Sequence, residues 1–150
     1  MYIHLIPAFY TWCEMLIKEP VIAIKDVSLC TFSLQSLALD VIVSVENPNL
    51  FGITLTSISF DIFYRRQNEW VFLCHGEKTG FKITSGTHDV PMPVTVKNTA
   101  LLAALAGMVL HGEITVRITG VAKPSLLLYT PTVPFTREMT IPLELPIGGK

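Results

Sequence analysis

Charge is scarce in this chain. Of its 150 residues only 15% are charged, 11 Lys and Arg stand against 12 Asp and Glu, and the formal net charge is -1, while half of the residues are hydrophobic. A disordered chain has the reverse composition, low hydrophobicity with high net charge, so disorder is excluded. Nucleic-acid binding through a broad basic surface needs an excess of Lys and Arg to neutralise phosphates, and none is present, so no nucleic-acid partner is expected. Paired cysteines are also lacking. Cys13, Cys30 and Cys74 are odd in number and widely spaced, with no C-x-x-C; they read as buried free thiols of a reducing compartment, which places the chain in the cytoplasm. The four histidines, His4, His75, His88 and His111, form no H-x-x-x-H or H-E-x-x-H array, and Cys74 and His75, as strand neighbours, point to opposite faces. No metal and no cofactor is expected. The chain has no G-x-S-x-G, P-loop or G-x-G-x-x-G pattern, and Gly76, Gly80 and Gly86 read as turn glycines. Asp40, Asp61 and Glu113 fall on the polar sides of strands without a second acid placed for acid/base work, so no catalytic residue is assigned and the chain is not expected to be an enzyme.

Long apolar runs are missing as well. Met1 to Ile17 is mostly apolar, but His4, Pro7 and Glu14 interrupt it well short of the roughly 20 residues a membrane span needs. Nor does it have the basic n-region and small cleavage-site residues of a signal peptide. Its period is helical: Phe9, Trp12, Cys13 and Leu16 fall at i, i+3, i+4 and i+7. Two readings of this short amphipathic helix stay open. It packs across the end of the domain, or it docks on a membrane surface or partner through Phe9, Trp12 and Leu16, the second weakened by the absence of Lys or Arg before Lys18. Residues 1–19 are thus an N-terminal helix or arm, and 20–150 a single domain long enough to hide roughly 68% of its unfolded surface.

From Pro20 onward the period becomes two. Leu37, Leu39, Val41, Val43 and Val45 alternate with Ala38, Asp40, Ile42, Ser44 and Glu46, and Asn47-Pro48-Asn49 stops the strand. Thr56, Ile58, Phe60, Ile62 and Tyr64 alternate with Ser57, Ser59, Asp61, Phe63 and Arg65, with Trp70 to His75 as a hairpin partner closed by Gly76. Upstream, Val21 to Leu34 slips phase, which predicts a bulge near Lys25. Val90 to Val96 carries Pro91 and Pro93 at one parity, which predicts an edge strand. Ile114 to Thr119 is a sixth strand, and Val133 to Leu143 a seventh with an irregularity near Arg137. This rhythm predicts a mainly β fold, an antiparallel sandwich of about seven strands.

One helix interrupts it, Thr99 to Leu110, between the fifth and sixth strands, with Asn98 as N-cap and Gly112 near its C-terminal end. Leu101, Leu105 and Met108 form a bulky apolar face opposite Ala100, Ala103, Ala104 and Gly107. That face either plugs the end of the sandwich or is an exposed strip or lining for an apolar ligand.

The stretch LALDVIVSVENPNLFGITLTSISFDIFY, Leu37 to Tyr64, resembles the signature of the late embryogenesis abundant group 2 family, also called the water stress and hypersensitive response domain: a strand ending in N-P-N, a short turn, and a second alternating strand. Later elements keep that family's order, with His75-Gly76-Glu77, Phe81-Lys82-Ile83, the Pro-containing Val90 to Val94 strand, a helix, and Glu113 to Val116. The resemblance spans roughly residues 20 to 145. It implies a fibronectin type III-like or Ig-like Greek-key sandwich and a non-enzymatic, desiccation-related stress protein, with Asn47, Pro48 and Asn49 as a structural turn. As such a module it would hold partly unfolded client proteins or membrane surfaces, as a monomer or weak homo-oligomer. The alternatives are a small carrier with an apolar ligand between its sheets, and a structural domain docking to a larger assembly.

Overall fold

A computed structural model describes residues 17–108, 112–127 and 129–142. Along the chain run β1 (Val21–Phe32), β2 (Leu37–Asn47), β3 (Ile53–Arg66), β4 (Glu69–Ile83), β5 (Gly86–Val96), α1 (Thr99–Met108), β6 (Glu113–Ser125) and β7 (Val133–Pro142). Two antiparallel sheets result, one in the order β1-β2-β5 and the other β4-β3-β6-β7. They face each other as a sandwich, with β1 meeting β7 along one side and β4 meeting β5 along the other.

The period-two pattern explains the core directly. Leu37, Leu39, Val41, Val43 and Val45 of the central strand β2 are all buried against Ile58, Phe60, Ile62 and Tyr64 of β3 and their neighbours, because alternate side chains of a strand share one face. β5 is an edge strand pairing only with β2, and its exposed Pro91 and Pro93 sit opposite Ile42 and Asp40. The phase slip in β1 is a real irregularity, lying between Ile24 and Asp26.

Four details depart from the sequence expectations. First, β4 does not close at Gly76 but runs through it to Ile83, and Gly76 is buried in mid-strand. Phe60 pairs with Gly76 on one side and Gly120 on the other, and Gly120 pairs in turn with Phe135, so glycine and phenylalanine alternate across all four strands. A Cβ on Gly76 would lie 2.5 Å from Phe60 Cζ, and one on Gly120 would strike the Ser59 carbonyl oxygen and the Phe135 ring. The glycines make room for two core aromatics. Second, β3 begins at Ile53 and slips register between Leu55 and Ser57, so Thr56 is exposed while Ile53 and Leu55 are buried. Third, β7 keeps regular pairing with β6 through Arg137. The irregularity in its pattern is Arg137 itself: on the parity of buried Phe135 and Ile141, it sends Nη1 to the carbonyls of Ile24 and Lys25 at 2.7 and 2.9 Å. A polar residue on the inward side thereby ties β7 to the bulge of β1 where the two sheets meet. Fourth, of the two described cysteines Cys30 is exposed and Cys74 is buried; Cys13 lies outside the described residues.

Helix α1 starts as expected, with Asn98 Oδ1 accepting from the Leu101 N–H at 3.1 Å and the Asn98 carbonyl from that of Leu102 at 2.9 Å. Leu102 and Leu105 are buried and Leu101 is half-buried. The Met108 side chain, residues 109–111 and Leu143 lie outside the described residues, as do residues 1–16 with Phe9, Trp12 and Leu16.

The glycine row yields a test. Gly120→Ala should lower stability by about 1–3 kcal/mol, the usual range for overpacking a filled core. It would be read as a lower urea midpoint with an unchanged denaturant slope, and an unchanged midpoint would contradict the packing described.

Candidate functional site

Of the three groups of residues singled out by the sequence, Phe9, Trp12 and Leu16 lie outside the described residues, and the other two stand at opposite ends of the sandwich. At one end of the sandwich, Leu105 lines a void with Phe32, Leu37, Leu39, Leu73 and Ile114, and that void measures about 10 Å³, room for one water at most. At this end the helix fills the space between the sheets. At the opposite end lies Asn47-Pro48-Asn49. Asn47 and Asn49 are 1% and 3% exposed, the buried polar residues of an otherwise apolar core. The Asn47 amide donates to the carbonyls of Phe51 (2.9 Å) and Ile83 (3.2 Å), and its Oδ1 accepts from the Asn49 N–H and side-chain amide, both at 3.0 Å. Asn49 in turn donates to the Lys18 carbonyl at 2.7 Å and accepts from the Lys18 N–H at 2.8 Å. Its side-chain amide thus pairs with one residue of the incoming chain as a strand backbone would. Among the described residues no buried side-chain polar atom is left unpaired. The tripeptide is more than a turn: it joins β2, β3, the end of β4 and the segment ahead of β1.

Neither group sets aromatic and charged side chains together on an open surface. Such a surface lies on the outer face of the four-stranded sheet, which the sequence reading passed over. Pairing places His75, Asp61, Thr119 and Thr136 in one row and Phe72, Phe63, Arg117 and Glu138 in the next. Phe72 is 51% exposed, and the Phe63 and Phe72 rings meet edge to face at 5.8 Å between centroids. Arg117 stacks over the Trp70 ring at 4.3 Å and donates from Nε and Nη2 to Glu138 Oε2 at 3.1 and 2.9 Å. Phe63, Trp70, Arg117, Thr119, Thr136 and Glu138 together line a shallow, open hollow. The signal was present in the sequence. Phe63 stands on the polar side of β3 among Ser57, Ser59, Asp61 and Arg65, where an aromatic ring has no core to fill. Aromatic residues and Arg are the types enriched where proteins meet partners.

Next to it, His75 Nδ1 lies 2.7 Å from Asp61 Oδ1, and its Nε2 lies 3.5 Å from Glu77 Oε1. The hydrogen bond to Asp61 raises the imidazole pKa above its ordinary value against an opposing effect of burial, and Glu77 adds to the rise. Beneath it, burial and then the Asp61 charge push the Cys74 thiol up to about 12, so it stays protonated and inert at neutral pH. Among the described residues no group of three His, Cys, Asp or Glu is placed to hold a metal ion, and no described helix is long and apolar enough to cross a membrane.

Comparison with known proteins bears on this architecture. The profile of the late embryogenesis abundant protein family matches residues 43–139. The chain belongs to that family. An uncharacterized protein of Methanocaldococcus jannaschii is 33% identical to this late embryogenesis abundant protein over 86 residues, 57% of this chain and 49% of the relative. The chain therefore spans about half the length of the curated relative it matches. Among solved structures, an Arabidopsis thaliana protein studied in solution has a TM-score of 0.67 at 21% identity, covering 85% of this chain and 83% of its own. A second solution structure, of a late embryogenesis abundant protein, has a TM-score of 0.63 at 18% identity, covering 93% and 80%. A crystal structure from Archaeoglobus fulgidus has a TM-score of 0.55 at 12% identity, covering 81% and 98%. At these identities the three structures speak to the fold alone.

Two measurements check the geometry. Asn47→Ala should cost about 1–3 kcal/mol, because it strands the buried Ile83 carbonyl, the part-buried Phe51 carbonyl and the Asn49 amide; a thermal or urea midpoint equal to wild type would show the network to be dispensable. In an NMR pH titration His75 should protonate above the ordinary imidazole range, and Asp61→Asn should bring its midpoint down. Because the folded pKa is the raised one, the pair's small stabilisation is complete below the unfolded pKa and is lost as pH rises through the folded value. An unshifted His75 would rule the pair out in solution.

Proposed function

We propose that this late embryogenesis abundant protein is a non-enzymatic, stress-associated module that works through a fixed surface, holding partly unfolded client proteins against the outer face of its four-stranded sheet. The observation that carries this reading is the strip of Phe63, Trp70 and Phe72 beside the Arg117–Glu138 pair. Ring surface and oriented charges sit there on paired strands, so little side-chain or backbone freedom is lost when a partner binds. The nearly filled space at the helix end, about 10 Å³, favours such a surface over a small carrier with an apolar ligand between the sheets. Family membership supports the link to stress, and the strand orders 1-2-5 and 4-3-6-7 support a fibronectin type III-like sandwich. On the same reading the protein acts in the cytoplasm as a monomer or weak homo-oligomer, without nucleic acid, metal or cofactor.

Aggregation of a reporter enzyme on heating or drying, followed by light scattering, tests the proposal. Equimolar protein should suppress scattering more than an inert protein of equal mass, and Trp70→Ser with Phe72→Ser should remove most of that difference while leaving the circular dichroism spectrum unchanged. Protection no better than the inert control, or undiminished in the double variant, would refute the assignment to this face.

A further inference from the structure

The end of the sandwich that carries Asn47-Pro48-Asn49 presents bare aliphatic side chains to solvent: Leu50 is 97% exposed and Leu127 74%. Between them runs a groove of about 450 Å³ lined by Ile17, Pro48, Leu50, Phe51 and Leu127, with Lys18 and Asn49 completing its wall. Among the described residues no carboxylate lines it, and it stands apart from the aromatic sheet face.

Three observations name an occupant. The paired hydrogen bonds between the Asn49 side chain and the Lys18 backbone fix the chain at the rim, and Ile17 is itself part of the wall, so residue 16 is covalently delivered to the groove. The sixteen residues ahead of it carry one charged side chain, Glu14, and place Phe9, Trp12, Cys13 and Leu16 at i, i+3, i+4 and i+7, one apolar stripe about 10 Å long at helical rise. Finally, a segment tethered at the rim meets the groove at an effective concentration in the millimolar range or above, without the loss of translational freedom that a separate partner bears. We infer that this groove is the seat of the chain's own residues 1–16, with Trp12 and Leu16 packed against Leu50, Phe51 and Leu127. The inference does not rest on the client-holding function.

Tryptophan fluorescence tests it in the full chain. The protein has two tryptophans, Trp12 and Trp70, so Trp70→Phe leaves Trp12 as the reporter. Its emission should be blue-shifted relative to the urea-unfolded protein and several-fold less quenched by acrylamide, with neither property changing on dilution. Adding Leu50→Asp and Leu127→Asp should move the emission red and abolish the shielding. Both leucines are exposed, so these changes empty no core, and circular dichroism should be unaltered. A Trp12 already fully exposed in the Trp70→Phe protein, or shielded equally with and without the two aspartates, would overturn the inference. It would also fall if shielding faded on dilution together with a fall in mass by light scattering, which would make the occupant a second copy. Shielding that arose only on adding phosphatidylcholine/phosphatidylglycerol vesicles would instead make the occupant a lipid surface, with the same result.

Discussion

Two buried asparagine side chains hold one end of this molecule together. In a core otherwise made of aliphatic and aromatic groups, Asn47 and Asn49 stay buried only because their amide groups find partners on several separate segments: the β2–β3 turn, the end of β4 and the chain ahead of β1. A buried amide without those partners would lose its hydration for nothing in return. Each bond therefore requires the others to be in place, and the turn becomes a cooperative joint that aligns both sheets. Pro48 contributes by holding its own φ and pushing Asn47 towards extended geometry. β2 and β3 lie in different sheets, and at this end their relative position is fixed by that joint.

At the other end the same problem is solved by apolar means. Leu102 and Leu105 of α1 are buried, Leu105 beside the small void at that end, and capping by Asn98 satisfies the Leu101 amide in the first turn of the helix. Between a sealed end and a hydrogen-bonded one, the interior keeps little room for chemistry, and the polar side chains able to meet another molecule are on the outer faces. Of those faces, the four-stranded one carries aromatic rings at positions where solvation alone would select polar residues. The low charge of the chain has the same origin: a two-sheet core and an apolar helix consume most of its hydrophobic residues, and some remain for the surface.

How much of this was legible beforehand depends on the range of the interaction involved. The β1 bulge, the β5 edge and the N-cap of α1 follow from local rules of parity, missing donors and side-chain capping, so single stretches of sequence reveal them. Gly76 misled because a glycine in a β pattern ordinarily marks a turn, whereas here it clears space for Phe60 from the neighbouring strand. Arg137 appeared as a fault in an alternating pattern because its partners, the Ile24 and Lys25 carbonyls, lie more than a hundred residues away in sequence. Trp70, Arg117 and Glu138 come from three strands, and only their pairing makes one face of them.

By itself, then, the sequence determined the fold class, seven strands with one helix among the described residues, and the family to which the chain belongs, because hydrophobic period, proline placement and the N-P-N turn are properties of contiguous residues. The tertiary structure decided which glycine is a turn and which a packing space, how the buried amides are satisfied, and which aromatic rings are left outside the core. Those outcomes depend on residues far apart along the chain, and burial exists only after the two sheets have met.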